Sequence, residues 1–262
     1  MSTFFTLAVL VLYARVSGLW PALRRKRLRG SSGGSARIGI LVAAFPAACI
    51  GWGTVAGAYV GGASLSAHIG VRGFVALVEY AVYLFVLPFV SGIHMHNDVI
   101  ERDNRAAAIS LTAAALALAP SVIGLQAHFA APLSTAPAAL WLLSAMTPLL
   151  AWLVLELRTK ISWAITVDRD TGTALRLSAI LLAMSMVPAY AVLSKLLRPD
   201  APLPSPWAAL AAPIPVLLLA LFFERRASAP TYPLALLRSL PTCGIYLAGG
   251  AIATGAAMTF LQ

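Results

Sequence analysis

The sequence predicts an all-α fold: a polytopic transmembrane helix bundle of about eight spans, seven if the first is interfacial, built from repeated helical hairpins. Three observations predict it. Apolar residues make up 60% of the 262 and charged residues only 11%, whereas an average soluble domain is roughly 25% charged. The apolar residues are grouped into stretches near the ~20 that a helix needs to cross ~30 Å of hydrocarbon. Almost all Lys and Arg fall in the short links between those stretches.

In chain order the predicted spans are 3–20, 38–60, 73–93, 106–127, 136–156, 174–194, 207–223 and 242–261, each set by its apolar run. The first contains Arg15 and has two readings, a crossing or an interfacial helix. It lacks the basic start and small-residue cleavage site of a signal peptide, so it is expected in the mature protein. Prolines 46, 88, 120, 148, 188, 213 and 215 lie within spans and are expected to kink them, leaving carbonyls for neighbouring helices to satisfy. No link is long enough for a separate extramembrane domain. The Pro-rich segment 197–206 is the clearest external link.

Orientation follows from basic residues, which short loops retain on the cytoplasmic side. One alternate set of links and span ends holds Arg24, Arg25, Lys26, Arg27, Arg29, Arg37, Arg102, Arg105, Arg158, Lys160, Arg169, Arg176, Arg225, Arg226 and Arg238. The other holds only Arg72, Lys195 and Arg198. Links 21–37, 94–105, 157–173 and 224–241 are therefore expected in the cytoplasm, with both termini outside, in the periplasm if the host is Gram-negative; if the first stretch does not cross, the N-terminus is cytoplasmic and the other seven crossings keep their directions. The net charge of +10 is explained by this topology rather than by nucleic acid, since the basic residues are dispersed without aromatic interleaving. The dense cluster Arg24–Arg29, before the flexible GSSGGS at 30–35, also suits anionic headgroups at about 1 kcal/mol per basic residue. Topogenesis is its simpler role.

Charged residues also carry an internal repeat. VIERDN at 99–104 aligns with TVDRDT at 166–171, pairing Glu101 with Asp168, Arg102 with Arg169 and Asp103 with Asp170 at an offset of 67. The same offset relates Pro148 to Pro215 and Arg158 to Arg225. Small-residue helices follow each charged link, at 35–45, 105–117, 173–185 and 242–255. The repeating unit reads as a helical hairpin with a charged cytoplasmic tip; chance similarity of Ala-rich helices does not supply the matching charges.

Glu101-Arg102-Asp103-Asn104-Arg105-Ala106-Ala107-Ala108-Ile109 resembles the acidic turn and Asn-x-Ala-x-Ala helix start of the bacterial inner-membrane family called domain of unknown function 350. Cys243-Gly244-Ile245-Tyr246-Leu247-Ala248-Gly249-Gly250 is similar to the start of that family's last span. The resemblance covers residues 73–262 and, more faintly, the first two spans. It departs at Thr171, where Asn is expected, and before the last span, where the acidic residue is missing. It implies two tandem four-span copies, residues 1–128 and 129–262, together one membrane domain. It implies an inner-membrane location, points only weakly to envelope maintenance, and supplies no biochemical activity.

Several residues are candidates for function. Glu79 lies inside the third span, where a carboxylate costs about 2.5–3.5 kcal/mol on insertion scales. It reads either as an ion or proton ligand facing a cavity or as a protonated or snorkelling side chain near the outer boundary; Tyr59, Tyr80 and Tyr83 are potential partners. Gly53, Gly57 and Gly61 form a GxxxG stripe suited to close helix packing, within the bundle more readily than in a homo-oligomer. His94 and His96, with Asn97, Asp98 and Glu101, are weak metal candidates, because residues i and i+2 do not share a helix face. A solvated loop is their simpler reading, and no metal or cofactor is expected.

Glu101, Arg102, Asp103, Asn104, Asp168, Arg169 and Asp170 read as residues that open the following helices, with Asn104 or Thr171 as N-cap, or as an interaction surface at the tips. Cys49 and Cys243 sit outside any Cys-x-x-Cys motif and read as small apolar residues. Phosphate-binding, nucleophile-elbow and metalloprotease motifs are missing, which points away from an enzyme. The sequence therefore predicts a membrane scaffold that recruits a peripheral cytoplasmic protein through its tips; the alternative is a channel or transporter for an ion or small solute using Glu79.

Overall fold

Alanine is the best helix former and the smallest side chain that still forms one well, so Ala-rich segments make helices that approach each other closely. That is the pattern in the computed structural model, which describes residues 85–128, 135–187, 189–190, 206–227 and 235–260. Every regular element among them is helical, with no strand. A helical segment at 85–91 leads through Gly92 to a π-helical turn, Met95–Glu101. Then come α1 (Arg105–His128), α2 (Thr135–Thr159), α3 (Ile161–Thr166), α4 (Thr171–Met184), α5 (Pro206–Ala211), α6 (Pro213–Ala227) and α7 (Ala235–Phe260). The first two predicted spans, the Arg24–Arg29 cluster, Glu79 and Gly53, Gly57 and Gly61 lie outside the described residues.

The predicted spans 106–127 and 136–156 coincide closely with α1 and α2. Elsewhere the structure corrects the boundaries. The span predicted at 207–223 is two helices divided at Ala212. Pro213 has no N–H to continue α5, while its fixed φ suits the first position of α6. Pro215 also falls in that first turn, where no intrahelical N–H is needed. These two prolines begin a helix instead of kinking a continuous one. The link predicted at 157–173 contains α3, with Ile161, Ser162 and Ile165 buried. α7 starts seven residues before the predicted 242 and holds Pro241 within it. Among the described residues one helical stretch, Ser239–Ala257, is long and apolar enough to cross a membrane; Arg105–Leu118 and Thr171–Met184 are apolar but shorter.

α4 is the central helix, packed most extensively on α7 and α1 and also touching α2, α3 and α6. Small residues make this possible. Ala106, Ala107, Ala108, Ala113, Ala114, Ala115 and Ala117 of α1 are buried, as are Ala174, Ala179 and Ala183 of α4. The closest approach is at Gly250 of α7, where an added Cβ would stand 2.8 Å from the Ala183 Cβ and 2.9 Å from its Cα and carbonyl oxygen. Glycine is therefore required there for contact, not for backbone freedom. Larger apolar side chains point outward: Leu150, Leu153 and Leu157 on α2, Ile214, Leu218 and Phe222 on α6, and Ile245 and Ile252 on α7 are all exposed.

Helix directions follow from the contacts. The α2 end folds back through α3 to the α4 start, where Lys160 takes a left-handed conformation, φ 51°. Trp152 of α2, fully buried, donates from Nε1 to Ser162 Oγ at 3.2 Å. Glu156 of α2 accepts the free Ser162 N–H at 2.7 Å, which satisfies one of the unpaired amides of a helix start. Arg176 near the α4 start meets Glu224 near the α6 end and Ser239 near the α7 start. Hence α4 and α7 run one way and α2 and α6 the other. The polar side chains gather at one end of the bundle.

Candidate functional site

Two turns and one buried network occupy that end. The first turn is built on Asp98, which is almost wholly buried. Its Oδ2 accepts the His94 N–H at 2.8 Å, and its Oδ1 accepts from Arg102 Nη1 at 3.1 Å. The chain then passes through Asp103 at φ 54° to Asn104, whose Oδ1 accepts the Ala107 N–H at 3.2 Å and caps α1. The second turn passes through Arg169 at φ 55° to Asp170, whose Oδ1 accepts the Gly172 N–H at 2.8 Å and caps α4.

The turns correspond residue for residue, at an offset of 66 (Asn104 to Asp170) and not the 67 that the charges suggest. In each, the capping residue donates its N–H to the carbonyl six residues earlier, Asn104 to Asp98 and Asp170 to Ala164. Each is preceded by a left-handed residue. Further on, Thr112 and Ser178 return hydroxyl bonds to Ala108 O and Ala174 O, both at 2.7 Å. Asn104 is an N-cap as expected, but in the second turn the cap is Asp170, and Thr171 is the first residue of the helix. The ERD and DRD strings are therefore displaced by one position between two like turns.

Asn104 also clasps the turns together. Only 1% exposed, it donates from Nδ2 to the Ile165 carbonyl at 2.8 Å and the Thr166 carbonyl at 3.3 Å. One side chain thus caps α1 and fills open carbonyls at the end of α3. Glu101, Arg102, Asp103, Asp168 and Arg169 are exposed on the two clasped turns, and Asp170 is half-buried. Of the predicted tip residues, then, two build the turns from inside and five face outward.

The network is centred on Arg176 and Glu224, which are not among the candidates the sequence offers. Arg176 Nε donates to Glu224 Oε1 at 2.9 Å and Oε2 at 3.2 Å. Its Nη1 donates to Ser239 Oγ at 2.9 Å, and its Nη2 to Thr173 Oγ1 at 2.9 Å. Thr173 passes the chain on to Asp170 Oδ2 at 2.6 Å, and the fully buried Tyr246 donates its hydroxyl to Glu224 Oε1 at 3.0 Å. The Glu224 side chain is 4% exposed and that of Arg176 12%. A signal was present: Arg176 lies two residues inside the span predicted to begin at 174, and an arginine within a span needs a partner. Glu224 falls in the link predicted at 224–241, where a carboxylate needs no partner.

Chemically, the network joins α4, α6 and α7 through matched donors and acceptors and is suited to locking helices. The histidine cluster lies on the π-helical turn, with His94, Asn97 and Glu101 exposed. Met95, Asp98 and Val99 are buried in the π-helical turn, and both Asp98 carboxylate oxygens are engaged. Among the described residues no three His, Cys, Asp or Glu side chains converge to hold a metal ion.

No family model, curated protein or solved structure matches the chain. The resemblance to the domain of unknown function 350 family therefore rests on the quoted motifs alone.

Proposed function

We propose that this chain is a bacterial inner-membrane protein of about eight crossings, seven if the first stretch lies along the interface. It acts as a non-enzymatic scaffold on which a peripheral cytoplasmic protein docks. The observation that carries the docking reading is the clasp: Asn104, bonded to Ile165 and Thr166, holds two charged turns side by side with Glu101, Arg102, Asp103, Asp168 and Arg169 exposed. A rigid charged surface loses little conformational entropy on binding. The membrane reading is supported by Ser239–Ala257 and by exposed apolar stripes on α2 and α6, which would be a liability in water and suit lipid.

Topology is tested with single cysteines at Glu101 and Asp168 in a chain without Cys49 and Cys243. A membrane-impermeant maleimide should label both only after the inner membrane is opened; labelling in intact spheroplasts removes the cytoplasmic assignment. Docking is tested by placing a photo-crosslinking amino acid at Asp103 or Arg169. A discrete adduct that disappears with Glu101→Arg/Asp168→Arg is expected. Crosslinks to lipid alone, or an adduct indifferent to charge reversal, would defeat the scaffold reading.

A further inference from the structure

A groove of about 560 Å³ runs between α2 and α6, lined by Val154, Arg158, Leu218, Leu221, Phe222 and Arg225. These two helices run in the same direction, so Arg158 and Arg225, each in the last turn or so of its helix, stand together at the end of the groove beside the charged turns. Val154 lies one helical turn deeper on α2, and Leu218, Leu221 and Phe222 lie up to two turns deeper on α6. Leu218, Phe222 and both arginines are exposed. Neither arginine has an acidic partner among the described residues: the ion pairs there are Arg102 with Asp98 and Arg176 with Glu224.

Helix polarity favours a cation at either C-terminus but does not explain two guanidinium groups at the mouth of one apolar groove. We infer that this groove binds an anionic phospholipid, its phosphate between Arg158 and Arg225 and an acyl chain along Val154, Leu218, Leu221 and Phe222. Guanidinium groups match phosphate oxygens in bidentate geometry and are weakly hydrated. The groove walls match methylene chains, and both requirements are met in the order that a lipid presents them, headgroup outward and chain inward. The site rests on the membrane reading, because only there is the groove bathed in lipid. It is independent of the docking surface and of the Arg24–Arg29 cluster.

The test uses the full chain extracted from carbonate-washed membranes in a mild detergent. Native mass spectrometry then counts retained dioleoyl phosphatidylglycerol against dioleoyl phosphatidylcholine supplied at equal concentration. The wild type should retain phosphatidylglycerol at least about tenfold better, the effect of ~1.4 kcal/mol. Arg158→Gln/Arg225→Gln should abolish that preference, with unchanged helicity by circular dichroism showing that the fold survives. Leu218→Trp, which fills the groove and leaves both charges, should abolish it too. Equal retention of the two lipids, or a preference that survives either variant, would overturn the site. Loss of the chain from carbonate-washed membranes would overturn the membrane reading and the site with it, whereas a chain that stays in the membrane but shows no preference overturns only the site.

Discussion

Arg176 and Glu224 meet at 2.9 Å across 48 residues of sequence, and the same guanidinium reaches Ser239 at 2.9 Å. One side chain of α4 thereby ties α6 and α7, with Tyr246 holding the carboxylate from the inner side. Removing Glu224 takes the ion pair from a guanidinium whose side chain is only 12% exposed, and stranding a buried charge costs about 3–5 kcal/mol. Glu224→Ala should therefore lower the thermal midpoint in detergent by a large amount, and Arg176→Ala should lower it too. The pair Arg176→Met/Glu224→Leu should recover part of the Glu224→Ala loss, because the guanidinium is then no longer stranded. A double variant as unstable as the sum of the singles would show that the two residues act separately.

The Asn104 amide has two roles that substitution separates. Asn104→Asp keeps the acceptor for the Ala107 N–H but replaces the donor to Ile165 and Thr166 with an anion facing two carbonyls. Asn104→Asp should therefore be at least as damaging as Asn104→Ala, by about 1–3 kcal/mol for the stranded buried groups. The check is thermal unfolding in detergent. If Asn104→Asp is close to wild type, capping alone explains the residue and the clasp contributes nothing.

Capping at the second turn discriminates between the two alignments. Asp170→Ala should cost about 1 kcal/mol, the usual value of an N-cap, and more through loss of the bond to Thr173. Thr171→Ala, one residue on, should cost less than half as much. Equal effects measured by thermal or denaturant unfolding would restore the offset of 67.

Gly250→Ala should be destabilising by about 1–3 kcal/mol, the typical effect of forcing extra volume into a packed contact. Ala183→Gly should rescue it only in part, because two of the three atoms a Cβ would meet, Cα and the carbonyl oxygen, belong to the Ala183 backbone. Full rescue, read from the same melting curve, would mean that the Ala183 methyl is the sole obstacle.

The lengths and helical character of α1 and α2 were legible because their apolar runs are long and clearly bounded. The division at Ala212 was less so: hydropathy passes through two prolines without registering their missing N–H groups. Placing the turns by charge identity put them one position out, since backbone equivalence depends on φ at Asp103 and Arg169, which side-chain chemistry does not encode. Asn104 was legible as a cap from its position before an Ala-rich helix, but not as a clasp, because its carbonyl partners lie 61 and 62 residues away. Arg176 reads in the sequence as a topological charge, and Glu224 falls at the edge of a link. Their pairing is a property of three helices together and has no local signature.

The separation between Arg176 and its partners sets a timetable for biogenesis. At about 5–20 residues per second, the 48 residues separating Arg176 from Glu224 take roughly 2–10 s to synthesise, and Ser239 follows later. Throughout that interval α4 carries a cation without its final counterion. An arginine stem can lie along apolar surface while its charged head stays solvated, so the Arg176 guanidinium is expected to remain hydrated until α6 and α7 arrive to pair with it, and the docking of the three helices waits on the last of them to be made.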